Sequence, residues 1–94
     1  MAKLVWSPQA IADLDAICSY IERDSHEYAR LFGERLLALA ESIPALPLLG
    51  AVVPEYSRED LRERRLQNYR MVYRIEGDTI QIVTITHGAK PLSP

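Results

Sequence analysis

The sequence is short of the residues that build several common kinds of site. Its 94 residues include one cysteine, two histidines, four glycines and one tryptophan. A single cysteine, Cys18, can neither close an internal disulfide nor supply a thiolate metal cluster, which excludes a disulfide scaffold and a structural zinc centre and points to a reducing compartment. No glycine-rich phosphate loop, Gly-x-Ser-x-Gly elbow or His-Glu-x-x-His pair occurs. Asp13 and Asp15 stand two apart in a helical stretch and diverge, whereas helix neighbours are three or four apart, so they make no metal site. Neither metal nor cofactor is expected. The most apolar run, ALPLLGAVV, is interrupted by Pro47 and Gly50 and falls short of the roughly 20 residues of a membrane-spanning helix. No basic-then-apolar leader opens the chain, so a cytoplasmic protein without a membrane partner is expected.

What is present is an ordinary globular composition. Hydrophobic residues make up 48% and charged residues 26% of the chain, enough for a single domain over 1–94 with one core. The net charge of −2 argues against a general electrostatic binder of nucleic acid. The distribution is uneven. Residues 1–55 carry four basic and eight acidic side chains, whereas 56–94 carry seven basic and five acidic. Six of those seven cations are arginines between Arg58 and Arg74.

Periodicity divides the chain. KLVW is a short β-type run that stops at Ser7-Pro8, where serine caps a helix and proline fits its first turn. Ala10, Ile11, Leu14, Ile17, Cys18 and Ile21 then recur at helical spacing, which makes Cys18 a packed thiol. Ser25 caps a second helix whose buried face is Tyr28, Leu31, Phe32, Leu36, Leu39, Ala40 and Ile43, ended by Pro44. The next segment has neither period and reads as an irregular connection packed down by Leu46, Leu48, Leu49 and Val52. From Leu61 the period becomes two, giving LRERRL, a turn at Gln67-Asn68, YRMVYRI, a hairpin turn at Gly77 and TIQIVTIT. The expected architecture is α+β in two layers, β-α-α-β-β-β, with a helical hairpin on a small, mainly antiparallel sheet.

A sheet covered on one side fixes the parity of YRMVYRI. Tyr69, Met71, Tyr73 and Ile75 face the helices, leaving Arg70, Val72 and Arg74 on an open face, with Arg62 and Arg64 alternating likewise on the neighbouring strand. Guanidinium groups on such a face suit planar recognition of phosphate or carboxylate. Composition by itself favours the plainer state, in which they are solvated or paired across strands with Glu59, Asp60 and Glu63. His87 and Lys90 follow the last strand near where these arginines should emerge, and a histidine beside cations can act as acid or base.

WSPQAIADLDAICSYI, VPEY, NYRMVYRIEGDTIQIV and the closing THG together resemble the RelE/ParE superfamily of toxins from bacterial type II toxin–antitoxin systems, over nearly the whole chain. The resemblance implies a toxin, of the kind linked to plasmid stabilisation, that forms a hetero-oligomer with a cognate antitoxin. It also implies one of two targets. The ParE-like branch poisons DNA gyrase without cutting, and the RelE-like branch cleaves mRNA on the ribosome. A RelE-like activity would rest on Arg70, Arg64, His87 and Lys90. Ribonuclease members commonly use a tyrosine or histidine in a C-terminal segment, and KPLSP has neither, so the resemblance favours the ParE-like side. Target or antitoxin binding would then fall to Arg62, Arg64, Arg70, Arg74, His87 and Lys90. A degenerate relative that only binds its antitoxin is a third possibility.

Overall fold

Ser7 begins the fold by doing two things at once. Its hydroxyl accepts the amide of Ala10, capping the first helix, and donates to the carbonyl of Val83, so the helix start is fastened to a strand 76 residues away. A computed structural model describes residues 2–88 and 90–92. The elements are β1 (Lys3–Trp6), α1 (Pro8–Glu22), α2 (His26–Ser42), β2 (Ala51–Val52), β3 (Leu61–Leu66), β4 (Tyr69–Glu76) and β5 (Thr79–His87). Two single turns of 3₁₀ helix, Ile43–Ala45 and Pro47–Leu49, connect α2 to β2.

The strands form one sheet in the order β1-β5-β4-β3-β2, antiparallel except that β1 runs parallel to β5. The two-layer α+β arrangement is as expected, with β2 as an additional short edge strand. Both expected caps are present, Ser7 on α1 and Ser25 on α2. Gly77 supplies a φ of 59° at the β4–β5 turn, where a side chain would be strained. The main core joins Phe32, Leu36, Ala40 and Ile43 from the second helix and its end to Met71, Tyr73, Ile80, Ile82 and Ile85 from the sheet.

Strict alternation does not account for β5. Tyr73 lies opposite Ile82 and Val72 opposite Thr84, so Val83 is an extra residue on β5. This bulge lets Ile82 and Ile85, three apart, both reach the helix side. Beyond the bulge β1 has ended, and Asp13 of α1 takes over the edge. Its carboxylate accepts the Ile85 amide and the Thr84 hydroxyl, which gives a purpose to an aspartate whose sequence context pointed to none.

Two expectations about burial fail. Ile11, Tyr28 and Leu31 are exposed at the outer margins of their helices. More consequentially, Leu46, Leu48 and Leu49 do not pack down but stand 63%, 68% and 62% exposed. The reason is the backbone. Tyr73 Oη donates to the carbonyl of Pro47 and accepts the Gly50 amide, while Arg62 donates to the carbonyls of Leu48 and Gly50. With its polar groups turned inward to be satisfied, the connection must direct its side chains outward. Ile43, Pro44 and Val53 supply the burial instead.

Gly50 is indispensable to this arrangement because a Cβ there would collide with Tyr73 Oη and lie 2.8 Å from the backbone carbonyl oxygen of Glu63. Gly50→Ala is therefore expected to destabilise the protein by about 1–3 kcal/mol through overpacking. Combined with Tyr73→Phe, which removes the clashing hydroxyl, it should cost less than the sum of the two single changes. Urea unfolding of the four proteins in a double-mutant cycle checks this, and strict additivity would contradict it.

Candidate functional site

The side of the sheet away from the helices is not open. Val53, Leu61 and Val72 form a second small core there, with Tyr56, Val83 and Leu92 packed against it. The loop between β2 and β3 and the segment Lys90–Leu92 thus close over much of the face on which the sequence places Arg70, Val72 and Arg74.

Arg70 is the clearest case. It is 3% exposed, and its guanidinium is fully engaged by two carboxylates. Nη1 and Nη2 each reach a Glu55 oxygen at 2.8 Å, a bidentate pair, and Nε reaches Glu63 Oε1 at 2.7 Å. Arg65 adds a weaker contact to Glu63 at 3.4 Å. Glu55 also accepts the Leu92 amide at 3.1 Å, so the same carboxylate holds the arginine and the C-terminal segment. Its bond to Arg70, with help from the Leu92 and its own amide, holds the Glu55 carboxyl down at about 2. Reciprocally, Glu55 first and Glu63 second raise Arg70 above its ordinary value against the opposing effect of burial. Glu55 lies in VPEY, within the irregular connection ahead of β3. A lone carboxylate in an aperiodic loop carries no signal of its distant partner.

The remaining arginines do not share one face. Strand register sets Arg62 opposite Tyr73 and Arg64 opposite Met71, on the helix side of the sheet, while Arg65 is opposite Arg70 on the other side. The expectation that Arg62 and Arg64 alternate in phase with Arg70 is thus corrected: the Gln67-Asn68 turn pairs odd with even positions. Arg62 is largely buried, fastening the Leu48–Gly50 backbone and pairing with Glu59. Arg74 remains on the Arg70 side, half-buried, with contacts to Gln81 and Glu76. The alternative of arginines paired with Glu59, Asp60 and Glu63 describes Arg62, Arg58 and Arg70.

His87 pairs in register with Tyr69, again on the helix side. Its ring meets Tyr69 edge-on at 5.7 Å, extending an aromatic row through Phe32 to Tyr28. Lys90 is exposed beside Thr84, Thr86 and Asp13 near the β5 edge. Arg70, Arg64, His87 and Lys90 are therefore not brought together: Arg64 and His87 lie across the sheet from a buried Arg70. Cys18 is half-buried, and burial with the nearby Asp15 and Glu22 carboxylates raises its thiol, keeping it protonated. No cluster of metal-ligating side chains occurs among the described residues, and no helix among them is long and apolar enough to cross a membrane.

Comparison with known proteins places this geometry in a lineage. The model of a family described as ParE toxin of type II toxin-antitoxin system, parDE, matches residues 4–92. "Toxin RelE2" of Caulobacter vibrioides is 32% identical over 90 residues, covering 96% of this chain and 99% of that protein. Among solved structures, the chromosomal ParDE toxin–antitoxin system from P. aeruginosa contains a chain similar at a TM-score of 0.77 and 27% identity, over 93% of this chain and 96% of that one. The heterotetrameric YoeB-YefM toxin-antitoxin complex from Staphylococcus aureus shares the fold at a TM-score of 0.51 and 20% identity, over 93% and 97%.

Arg70→Ala should destabilise the fold by about 3–5 kcal/mol, because it strands the buried Glu63 carboxylate, and Arg70→Lys should not restore a bidentate contact. Thermal or urea unfolding measures both. The acid limb gives a second check. Since Glu55 sits at about 2 in the folded protein against an ordinary 4.5, its contribution is complete above 4.5 and fades as pH falls towards 2. Glu55→Gln should flatten that part of the stability–pH curve, and an unchanged slope would contradict the assignment.

Proposed function

Because the chain belongs to the ParE toxin family of type II toxin–antitoxin systems, we propose that it arrests growth by poisoning DNA gyrase through protein–protein contact and is neutralised by a cognate antitoxin. The observation that carries the gyrase reading over RNA cleavage is the burial of Arg70. An arginine that stabilises a scissile phosphate needs an accessible fork. Here the fork is filled by Glu55 and Glu63. The separation of Arg64 and His87 from Arg70 across the sheet supports the same reading, since general acid–base work requires groups within hydrogen-bond reach of one reacting centre.

In this reading the toxin works by occupying a surface of its target, and its rigid sheet serves as the platform. A hetero-oligomer with an antitoxin is supported by the ParDE and YoeB-YefM assemblies in which similar folds are found. The name of the Caulobacter relative keeps a ribosome-dependent ribonuclease as the second reading.

Purified protein titrated into a gyrase supercoiling assay should inhibit supercoiling and accumulate cleaved DNA. Unaltered supercoiling at saturating toxin would count against the proposal. Primer extension on transcripts from cells expressing the protein should then show intact mRNA during growth arrest; discrete in-frame cuts would favour the second reading.

A further inference from the structure

Neither the buried arginine network nor the leucine turn between α2 and β2 accounts for the corner where α1, β5 and the C-terminal segment meet. An open cavity of about 490 Å³ lies there, between Gln9 and Asp13 of α1, Thr86 of β5, and Lys90 and Leu92. It forms because β1 stops at Trp6 while β5 runs on to His87, which leaves the end of β5 with no strand on that side among the described residues. The volume falls within the roughly 300–1,000 Å³ of small-molecule sites. Its walls are fixed from behind. Ser7 fastens the start of α1 to the carbonyl of Val83, the Lys90 amide donates to the carbonyl of His87 at 3.0 Å, and Glu55 accepts the Leu92 amide. A ligand there meets surfaces that need little further ordering.

The cavity is lined by one carboxylate and one ammonium group, and they are not equally available. Asp13 is already met by three donors: Oδ1 accepts the Gln9 side-chain amide at 2.7 Å, and Oδ2 accepts the Thr84 hydroxyl and the Ile85 amide. Lys90 is exposed and has no acidic partner among the described residues. An ammonium carries three donors and no acceptor, so the group that completes it is an anion. Thr86 adds a hydroxyl to the same wall. Gln9 has its amide nitrogen committed to Asp13, which leaves its carbonyl oxygen to accept. Pro91 and Leu92 supply apolar contact.

We propose that this corner is a binding site for a small organic anion, a carboxylate or a phosphate monoester, whose charged group meets Lys90 and Thr86 while its apolar body lies against Pro91 and Leu92. A hydroxyl or N–H of the ligand donates to Gln9. Lysine acts as a point charge rather than a planar fork, so both kinds of anion satisfy the same chemistry. Bound there, the anion ties α1 to the C-terminal segment, and Glu55 passes that restraint to the loop over Arg70. The site suits a small effector that stiffens the cover of the sheet. The inference rests on neither gyrase inhibition nor RNA cleavage, and its test reads binding alone, so failure of the gyrase assay leaves it standing.

Benzoate, phenyl phosphate and the neutral benzamide, titrated separately into the isotope-labelled full chain, serve as probes in two-dimensional NMR. Saturable amide shifts should appear at Gln9, Thr86, Lys90 and Leu92. The tighter of the two anions should bind at least about tenfold more tightly than benzamide, and which of them it is assigns the ligand to the carboxylates or the phosphates. Lys90→Gln should weaken that anion by about tenfold or more, and Lys90→Arg should retain it. Lys3→Gln makes the same change in net charge away from the cavity and should leave binding unaltered. Because Lys90 is exposed, Lys90→Gln should unfold at the wild-type temperature. Exchange of the Leu92 amide should slow on binding. No saturable shifts, equal binding of benzamide, or equal weakening by Lys3→Gln and Lys90→Gln would overturn the proposal. So would shifts centred on Arg64 and Arg65, since the anion would then be held by the arginines of β3.

Discussion

A buried guanidinium organises one whole side of this protein. Arg70 stands in the middle strand of the sheet, on the face away from the helices, and its charge must be met where water does not reach. Glu63 comes from the neighbouring strand and is supplied by register. Glu55 comes from the irregular loop after β2, and its second role is to accept the Leu92 amide. One ion pair thus fixes the loop, the C-terminal segment and, through them, the small apolar cluster of Val53, Leu61 and Val72. Buried pairs of this kind contribute little net stability compared with apolar packing, but they tolerate no missing partner. Here the effect is to specify which segments close over the sheet.

The helix side is organised by a neutral counterpart. Tyr73 is completely buried and delivers its hydroxyl to the connection after α2. Together with Arg62 it draws the backbone of that connection inward. The leucines point out as a consequence, and a segment that composition marks as core becomes the most prominent apolar surface of the molecule. The same two strands therefore bury what looked like a binding arginine and expose what looked like packing leucines. The proposed action through protein–protein contact needs surface rather than a cleft, and both outcomes suit that proposal.

Much of the frame was legible. Ser7-Pro8 and Ser25 located both helix starts because capping is local chemistry, satisfied within three residues. Gly77 marked the hairpin because only a turn requires its backbone angle. Met71 and Tyr73 were placed under the helices correctly since side chains alternate along a strand whatever lies beside it. Arg62 and Arg64 were placed on the wrong face because phase between strands passes through the turn, and Gln67-Asn68 does not state its geometry in composition. The bulge at Val83 was likewise invisible, though the spacing of Ile82 and Ile85 hinted that simple alternation would leave one of them unburied.

By itself the sequence determined the element order apart from the short β2, the two-layer α+β class, the concentration of arginine in the second half and the motifs that tie the chain to its family. These rest on periodicity and on contacts between near neighbours, which any reader of the chain can count. Tertiary structure alone decided that Arg70 is sequestered by Glu55 across 15 residues, that Asp13 serves the β5 edge across 72, and that the leucine turn faces water. Each depends on which distant polar group satisfies which, and the free energy of burying a charge or an amide is set by that partner rather than by the residue's own neighbours in the chain.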